Sequence, residues 1–158
     1  MNSPQTEYKI IFASDPTEVD IDRLTYLIND SFKSSKKKLV DDYFEKEDIS
    51  EIFHEENYLG AAIIQNINDI PYIDKLAVKE TGNGLGTALW NTVTDKYDKL
   101  IWRASPGNPA NDFYKGKYEG KIQTENWNIY YKGLNNLQEN IFNELIKTVA
   151  SKEPTMIY

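Results

Sequence analysis

Three groups of residues carry chemistry in this chain. The first is Gly82-Asn83-Gly84-Leu85-Gly86-Thr87, set between an apolar run and a run with apolar residues at helical spacing. A glycine-rich turn from a strand into a helix points backbone N–H groups at one spot. The helix start adds positive potential, so the two can hold a phosphate without a cationic side chain. No Lys-Ser/Thr follows the last glycine, so this is not a Walker loop. No acidic residue stands about 20 residues on after a second parallel strand, as a dinucleotide fingerprint requires. A pyrophosphate cradle and a plain tight turn both fit the motif, and the flanking strand and helix favour the cradle. The second group is a pair of cations. Lys75 sits inside the run Ile70–Val78 and needs a carboxylate partner or a function. Arg103, one of only two arginines, lies in the run Leu100–Arg103. The third is Asn108 to Tyr114 (NPANDFY), which reads as a short helix with Asn108 as N-cap and Pro109 at its first position. The helix ends in a tyrosine, a residue that stays neutral and can donate a proton, although a chain with eleven tyrosines also places them in its core.

Other chemistries are excluded by residue type. There is no cysteine, so no disulfide, thiolate metal site or cysteine nucleophile exists. The one histidine, His54, cannot build a multi-histidine metal centre, and no metal is expected. A lone histidine is more often structural than catalytic, and no general base is assignable. An enzyme made from these residues takes its nucleophile from its substrate. The formal charge of −7 argues against nucleic acid, which calls for a basic face. No apolar run approaches a membrane span. Met1–Glu7 is short and polar and is neither a signal nor a transit peptide.

The chain of 158 residues, 40% apolar and 27% charged, is one domain's worth and holds a full core. Tyr8–Ala13 reads as a first strand. Ser14–Thr17 is turn chemistry ahead of a helix with Ile21, Leu24, Leu27, Ile28 and Phe32 on one face. The lysine-rich stretch Lys33–Lys38 is a solvated loop twice as readily as a ligand patch. Leu39, Val40, Tyr43 and Phe44 suggest a shorter helix. Ile49–Glu55, Tyr58–Gln65 and Ile70–Val78 are strands joined by short turns and therefore antiparallel. In the last of these, strict alternation puts Tyr72, Asp74, Leu76 and Val78 on one face and Ile73, Lys75 and Ala77 on the other. Gly60, Ala61 and Ala62 are small enough to admit a ligand or a neighbouring backbone. A helix with Leu85, Leu89, Trp90, Val93 and Tyr97 leads by a parallel crossover to the strand at Leu100. Tyr118–Lys121 is a turn, Trp127–Tyr131 a closing strand, and an amphipathic helix follows from Leu137 to Val149. This is an α+β fold with a mixed, mainly antiparallel central sheet of about six or seven strands flanked by helices. A sheet that starts antiparallel and takes one βαβ step has a cleft where the pairing changes.

The stretches PYIDKLAV, GNGLGTALW, LIWRASPGNPANDFY and GKIQTENWNIYYKGL, with KKLVDDYF and ENYLGAAII before them, resemble the acetyltransferase domain of vertebrate and fungal N-acetylglutamate synthases. That domain is a member of the GCN5-related N-acetyltransferase superfamily. The resemblance runs in order through residues 20 to 135. It implies the superfamily's fold, acetyl-CoA as donor and the α-amino group of L-glutamate as acceptor, with no metal. It implies that the backbone of Leu76, Ala77 and Val78 pairs with the pantetheine arm. The N–H groups of Gly82, Asn83, Gly84, Leu85, Gly86 and Thr87 hold the pyrophosphate. The superfamily's Gln or Arg ahead of these glycines is Thr81 here. Tyr114 becomes the general acid to the CoA sulfur, and Asn108 orients the amine or steadies the oxyanion. Lys75 and Arg103 become the glutamate-binding cations. The family often has a second arginine where this chain has Ser105, so one carboxylate falls to a hydroxyl, to backbone N–H groups or to a lysine such as Lys115.

The resemblance further implies residues 1–158 as a single acetyltransferase domain taken from a longer chain with an amino-acid-kinase domain before it. It implies arginine biosynthesis, a homo-oligomer or an acetylglutamate kinase partner, and the mitochondrial matrix in a eukaryote or the cytoplasm otherwise. Two alternatives stand beside it. One is a non-catalytic regulatory domain like that of fungal acetylglutamate kinase. The other is an acetyltransferase for another amine, although Lys75 and Arg103 would repel a polyamine.

Overall fold

The computed structural model describes residues 7–158, so the reading of Met1–Glu7 falls almost wholly outside it. Seven strands form one sheet: β1 (Ile10–Ala13), β3 (Ile49–Glu55), β4 (Gly60–Ile67), β5 (Ile70–Val78), β6 (Leu100–Ala104), β8 (Asn128–Lys132) and β7 (Gly120–Gln123), in that spatial order. Every pairing is antiparallel except β5 with β6. That one parallel contact is the crossover the strand–glycine loop–helix–strand order requires. A second sheet pairs β2 (Lys38–Leu39) with β9 (Met156–Ile157). Neither of these short strands is legible as a strand in the sequence, and β7 occupies part of what reads there as a turn.

Helices cover both faces. The helix α3 (Leu85–Lys96) lies on one face and buries Leu85, Leu89, Trp90 and Val93 against Ile64, Ile73 and Trp102. On the opposite face α1 (Ile21–Ser31) buries Leu24, Leu27 and Ile28 against Ile63 and Ala77. Asp20 caps this helix by accepting from the Arg23 N–H at 3.2 Å. On the same face α5 (Glu139–Ser151) packs Leu145 and Val149 over Tyr72, Ile101 and Ile129. The short helices are α2 (Tyr43–Lys46) and α4 (Ala110–Tyr114). Lys33–Ser35 forms a single 3-10 turn, with Lys33 paired to Asp30 at 3.6 Å on the surface, which is the solvated-loop reading of the lysine stretch.

The small residues at the start of β4 serve packing. A Cβ added to Gly60 would lie 2.7 Å from Leu85 Cδ2 and 3.0 Å from Leu89 Cδ1, so it is α3 that comes close there. Gly60→Val is expected to destabilise the fold by about 1–3 kcal/mol, the usual cost of overpacking. The measurement is the denaturant midpoint. A shift in the midpoint at constant m-value is the expected result, and an unchanged midpoint would mean the leucines yield freely.

Candidate active site

The parallel ladder between β5 and β6 has two rungs, Tyr72 with Ile101 and Ile73 with Trp102. Beyond them β5 continues to Val78 and β6 to Ala104 without pairing, so the strands diverge into a notch. A β-bulge sits at its apex. Ile64 pairs with Ile73 and Ile63 with Lys75, which leaves Asp74 as the extra residue. A bulge bends its strand and sharpens the local twist.

The bulge also resets which way the side chains point. Alternation from Tyr72 would place Lys75 with Ile73, on the α3 face. Instead Asp74 and Lys75 both reach the α1/α5 face, and Leu76 and Val78 pack on the α3 side. Asp74 stays on the face of Tyr72 as expected, and the expected face assignment of Lys75, Leu76, Ala77 and Val78 is corrected. Lys75 is buried, with Nζ 3.0 Å from Asp74 Oδ2, and it donates to Thr155 Oγ1. The Tyr43 hydroxyl donates to the same carboxylate oxygen. Burial acts to raise the Asp74 carboxyl, but the Lys75 charge and the hydrogen bonds from Tyr43 and Lys75 outweigh it and hold the pKa below its ordinary 3.8. Burial and the Asp74 charge push Tyr43 well up, so it remains a neutral donor.

Arg103 reaches the same face on the other side of the apex. Its Nη1 donates to the carbonyls of Val149 (2.7 Å) and Lys152 (2.8 Å), and Nη2 to Glu153 O at 3.3 Å. The guanidinium lies 3.8 Å from the Trp127 ring centroid. It caps the carbonyl end of α5, where the helix dipole favours a cation. Lys75 and Arg103 thus lie on adjacent strands and both reach the α1/α5 face, each with protein acceptors.

Tyr114 stands on the opposite face, packed against Trp102 (5.6 Å between centroids), Trp90 (6.3 Å) and Tyr130 (5.4 Å). Burial, with a smaller contribution from Tyr130, drives its pKa well above the ordinary phenol value and keeps the hydroxyl protonated. The helix that ends in it starts at Ala110, one residue later than predicted. Asn108 Oδ1 still performs a capping role by accepting from the Ala110 N–H at 2.9 Å. The Ser105 carbonyl closes this turn by accepting from the Asn108 N–H at 3.0 Å.

Asn111 is a site residue that sequence reasoning missed. Its Nδ2 donates to the carbonyls of Ser105 (2.9 Å), Pro106 (3.2 Å) and Asn108 (2.9 Å), and its Oδ1 accepts from the Tyr130 hydroxyl at 2.7 Å. One side chain thus fastens the turn that carries Asn108 to the strand beneath Tyr114. Only its place three residues after Asn108 hinted at it.

At the far end of the notch β5 passes into the glycine loop. Gly82 (φ +83°) and Gly84 (φ +85°) are both left-handed, with nothing within 4 Å of where a Cβ would stand. Asn83 Oδ1 accepts from Leu85 N–H at 3.1 Å, so that N–H, expected to face a phosphate, already has a partner. An open cavity of about 540 Å³ adjoins the loop, its lining including two lysines, Lys33 and Lys79, and two carboxylates, Asp30 and Glu80. An open strand edge leading into exposed glycine N–H groups fits an extended arm that ends in phosphates. His54 lies elsewhere. It is buried on β3, stacked on Tyr58 at 4.4 Å, with Nδ1 2.9 Å from Glu55 O. Among the described residues, no group of three or more His, Cys, Asp or Glu is placed to hold a metal, and no helix is long and apolar enough to cross a membrane.

The family model for the N-acetyltransferase of N-acetylglutamate synthase matches residues 11–152. The chain belongs to that family. Relatives include the acetylglutamate kinase of Xylella fastidiosa strain 9a5c, 32% identical over 151 residues, covering 94% of this chain and 35% of the relative. The mitochondrial N-acetylglutamate synthase of Danio rerio is 32% identical over 141 residues, covering 85% and 26%. The mitochondrial amino-acid acetyltransferase of Schizosaccharomyces pombe is 29% identical over 155 residues, covering 88% and 31%. This N-acetyltransferase domain thus spans about a third or less of those relatives' lengths. Its fold is shared with an acetyltransferase from Streptococcus agalactiae (TM-score 0.57, 14% identity, 78% of this chain and 97% of that one). It is shared too with the PaiA N-acetyltransferase of Thermoplasma acidophilum, solved in complex with coenzyme A (TM-score 0.56, 14% identity, 78% and 98%).

Proposed function

We propose that this domain moves the acetyl group of acetyl-CoA to the α-amino group of L-glutamate. One observation carries the reading: a single open line runs from the exposed glycine loop, along the unpaired edge of Leu76, Ala77 and Val78, to an apex with Tyr114 on one face and two cations on the other. In this reading Gly82, Asn83, Gly84, Leu85, Gly86 and Thr87 hold the pyrophosphate, with the Leu85 N–H released by Asn83. The thioester lies at the apex. The neutral amine nitrogen attacks the acetyl carbon, the C–S bond breaks, Tyr114 gives its proton to the departing sulfur, and the proton lost by the amine passes to water, from which Tyr114 is reprotonated. Asn108, held by Asn111, presents its amide to the amine or to the tetrahedral oxygen. Positioning of the two reactants supplies much of the rate. Lys75 and Arg103 take the acceptor's carboxylates, with the Ser105 hydroxyl in place of a second arginine. An acetylglutamate kinase partner, a role in arginine biosynthesis and, in a eukaryote, the mitochondrial matrix all belong to this reading.

A second reading has support of its own. The cations expected to bind glutamate already have protein partners, and the Xylella relative is named an acetylglutamate kinase. A regulatory acetyltransferase-like domain would look similar. Thiol release from acetyl-CoA, followed with and without L-glutamate, separates the two. Glutamate-dependent release is expected, and its absence would favour the regulatory reading.

A further inference from the structure

The end of α5 and the segment after it hold both acceptor-side cations, with Val149 the one acceptor inside the helix. Val149, Lys152 and Glu153 offer carbonyls to Arg103, and Thr155 offers its hydroxyl to Lys75. The same segment then crosses to the stretch after α1. The Val40 N–H donates to Thr155 O at 2.9 Å, and Met156 and Ile157 pair with Leu39 and Lys38. Lys152 also lies 3.8 Å from Glu47. Residues 152–157 are therefore a strap laid over the α1/α5 face of the apex and tied down on both sides.

Two features make this strap displaceable. Its ladder is two residues long, and Ile157 is half exposed. What it offers the cations is neutral: no carboxylate of the strap pairs with Arg103 or Lys75. A guanidinium or ammonium gains more from an anionic acceptor than from a carbonyl or hydroxyl. The Arg103 Nε makes no hydrogen bond among the described residues, so part of its fork remains for a carboxylate.

We propose that the strap Lys152–Ile157 competes with the acceptor's carboxylate for Arg103 and Lys75, so that acceptor binding and strap release are one coupled event. This rests on the reading of the α1/α5 face as the acceptor side. The docked strap occupies Arg103, whose acceptors are all neutral carbonyls, and adds a hydroxyl to Lys75, which keeps its own carboxylate in Asp74. Coupling of this kind is reciprocal: whatever weakens the strap strengthens acceptor binding.

Two measurements test it. In the whole domain, hydrogen exchange at the Val40 amide, whose partner is Thr155 O, is followed with and without saturating L-glutamate. Faster exchange with glutamate is expected. Unchanged or slower exchange would overturn the competition. Separately, Thr155→Val keeps the side-chain shape and removes the hydroxyl facing Lys75. Its KM for L-glutamate is expected to fall by about three- to tenfold, because apparent affinity is reduced by the fraction of molecules held closed. The affinity for acetyl-CoA stays unchanged, and an equal or higher glutamate KM would count against the strap. The two readings fail differently. Glutamate-dependent thiol release with no change at Val40 removes the strap and keeps the acetyltransferase. Faster Val40 exchange without thiol release keeps the strap and removes glutamate acetylation. Neither effect removes both.

Discussion

Replacing Tyr114 with phenylalanine is expected to lower turnover by about 10²–10⁴-fold, the range a positioned general acid supplies. Affinity for acetyl-CoA should change little, because the ring keeps its contacts with Trp90, Trp102 and Tyr130 and loses only its oxygen. The pH profile adds a check that a packing role would not move. An acid works while protonated, and burial holds this phenol's pKa far above the ordinary tyrosine value of 10.0. Activity of the parent protein should therefore show no alkaline limb from Tyr114 up to about pH 10, the ordinary titration point of a free phenol. In the variant the deficit should be largest when the leaving group is the most basic thiolate. A series of acyl donors with thiols of differing pKa makes the measurement. Equal loss across the series, or turnover unchanged at every pH, would remove Tyr114 as the proton donor.

Asp74→Ala is expected to cost about 3–5 kcal/mol, because it strands the buried Lys75 ammonium without its carboxylate. In a domain of this size each kcal/mol moves Tm by about 2–4 °C, so the midpoint should fall by roughly 6–20 °C. The acid side offers a second readout. Asp74 has a pKa depressed below 3.8 in the fold, so its contribution is complete above 3.8 and is lost as pH falls from there toward the folded value. Stability of the parent should drop over that acidic window, and the drop should be smaller in the variant. Calorimetry from neutral pH downward reads both. A variant with the parent's Tm would show that Lys75 finds its stabilisation in Thr155 and Tyr43 alone. Because Asp74 also sits at the apex, activity should be compared only at temperatures where the variant is folded.

Much of this architecture was written in local patterns. Ile49–Glu55 and Ile70–Val78 match their strands residue for residue, with turn residues at Glu56-Asn57 closing the first and at Asn68-Asp69 opening the second. The glycine loop and the helix after it were equally plain. The boundaries of α4 and the strands β2 and β9 were not, since two-residue ladders are chosen by distant partners and leave no period to read. The bulge at Asp74 is the instructive failure. Nothing in Tyr-Ile-Asp-Lys-Leu marks an inserted residue, and one extra position reverses the face of everything after it. Lys75 was singled out as a cation in need of a carboxylate, and its partner is the residue beside it, which strict alternation would have sent the other way. Arg103 was identified by type and rarity, but its carbonyl acceptors lie 46 to 50 residues further along the chain, beyond the reach of any local pattern. Asn111 stood in the motif unremarked, because a residue whose work is to hold a turn together resembles any other polar residue until the turn is seen.

The two-rung contact between β5 and β6 has a mechanical consequence. A sheet normally frays from its outer strands inward, since those are bonded on one side only. Here the middle carries the fewest rungs, with four strands on one side of it and three on the other. The least costly opening of the backbone network is thus a parting along the centreline, with each half-sheet moving as a plank and the helices on both faces acting as straps across the gap. Thermal breathing is steered into the one direction that widens the notch, and it leaves the ladders on either side intact.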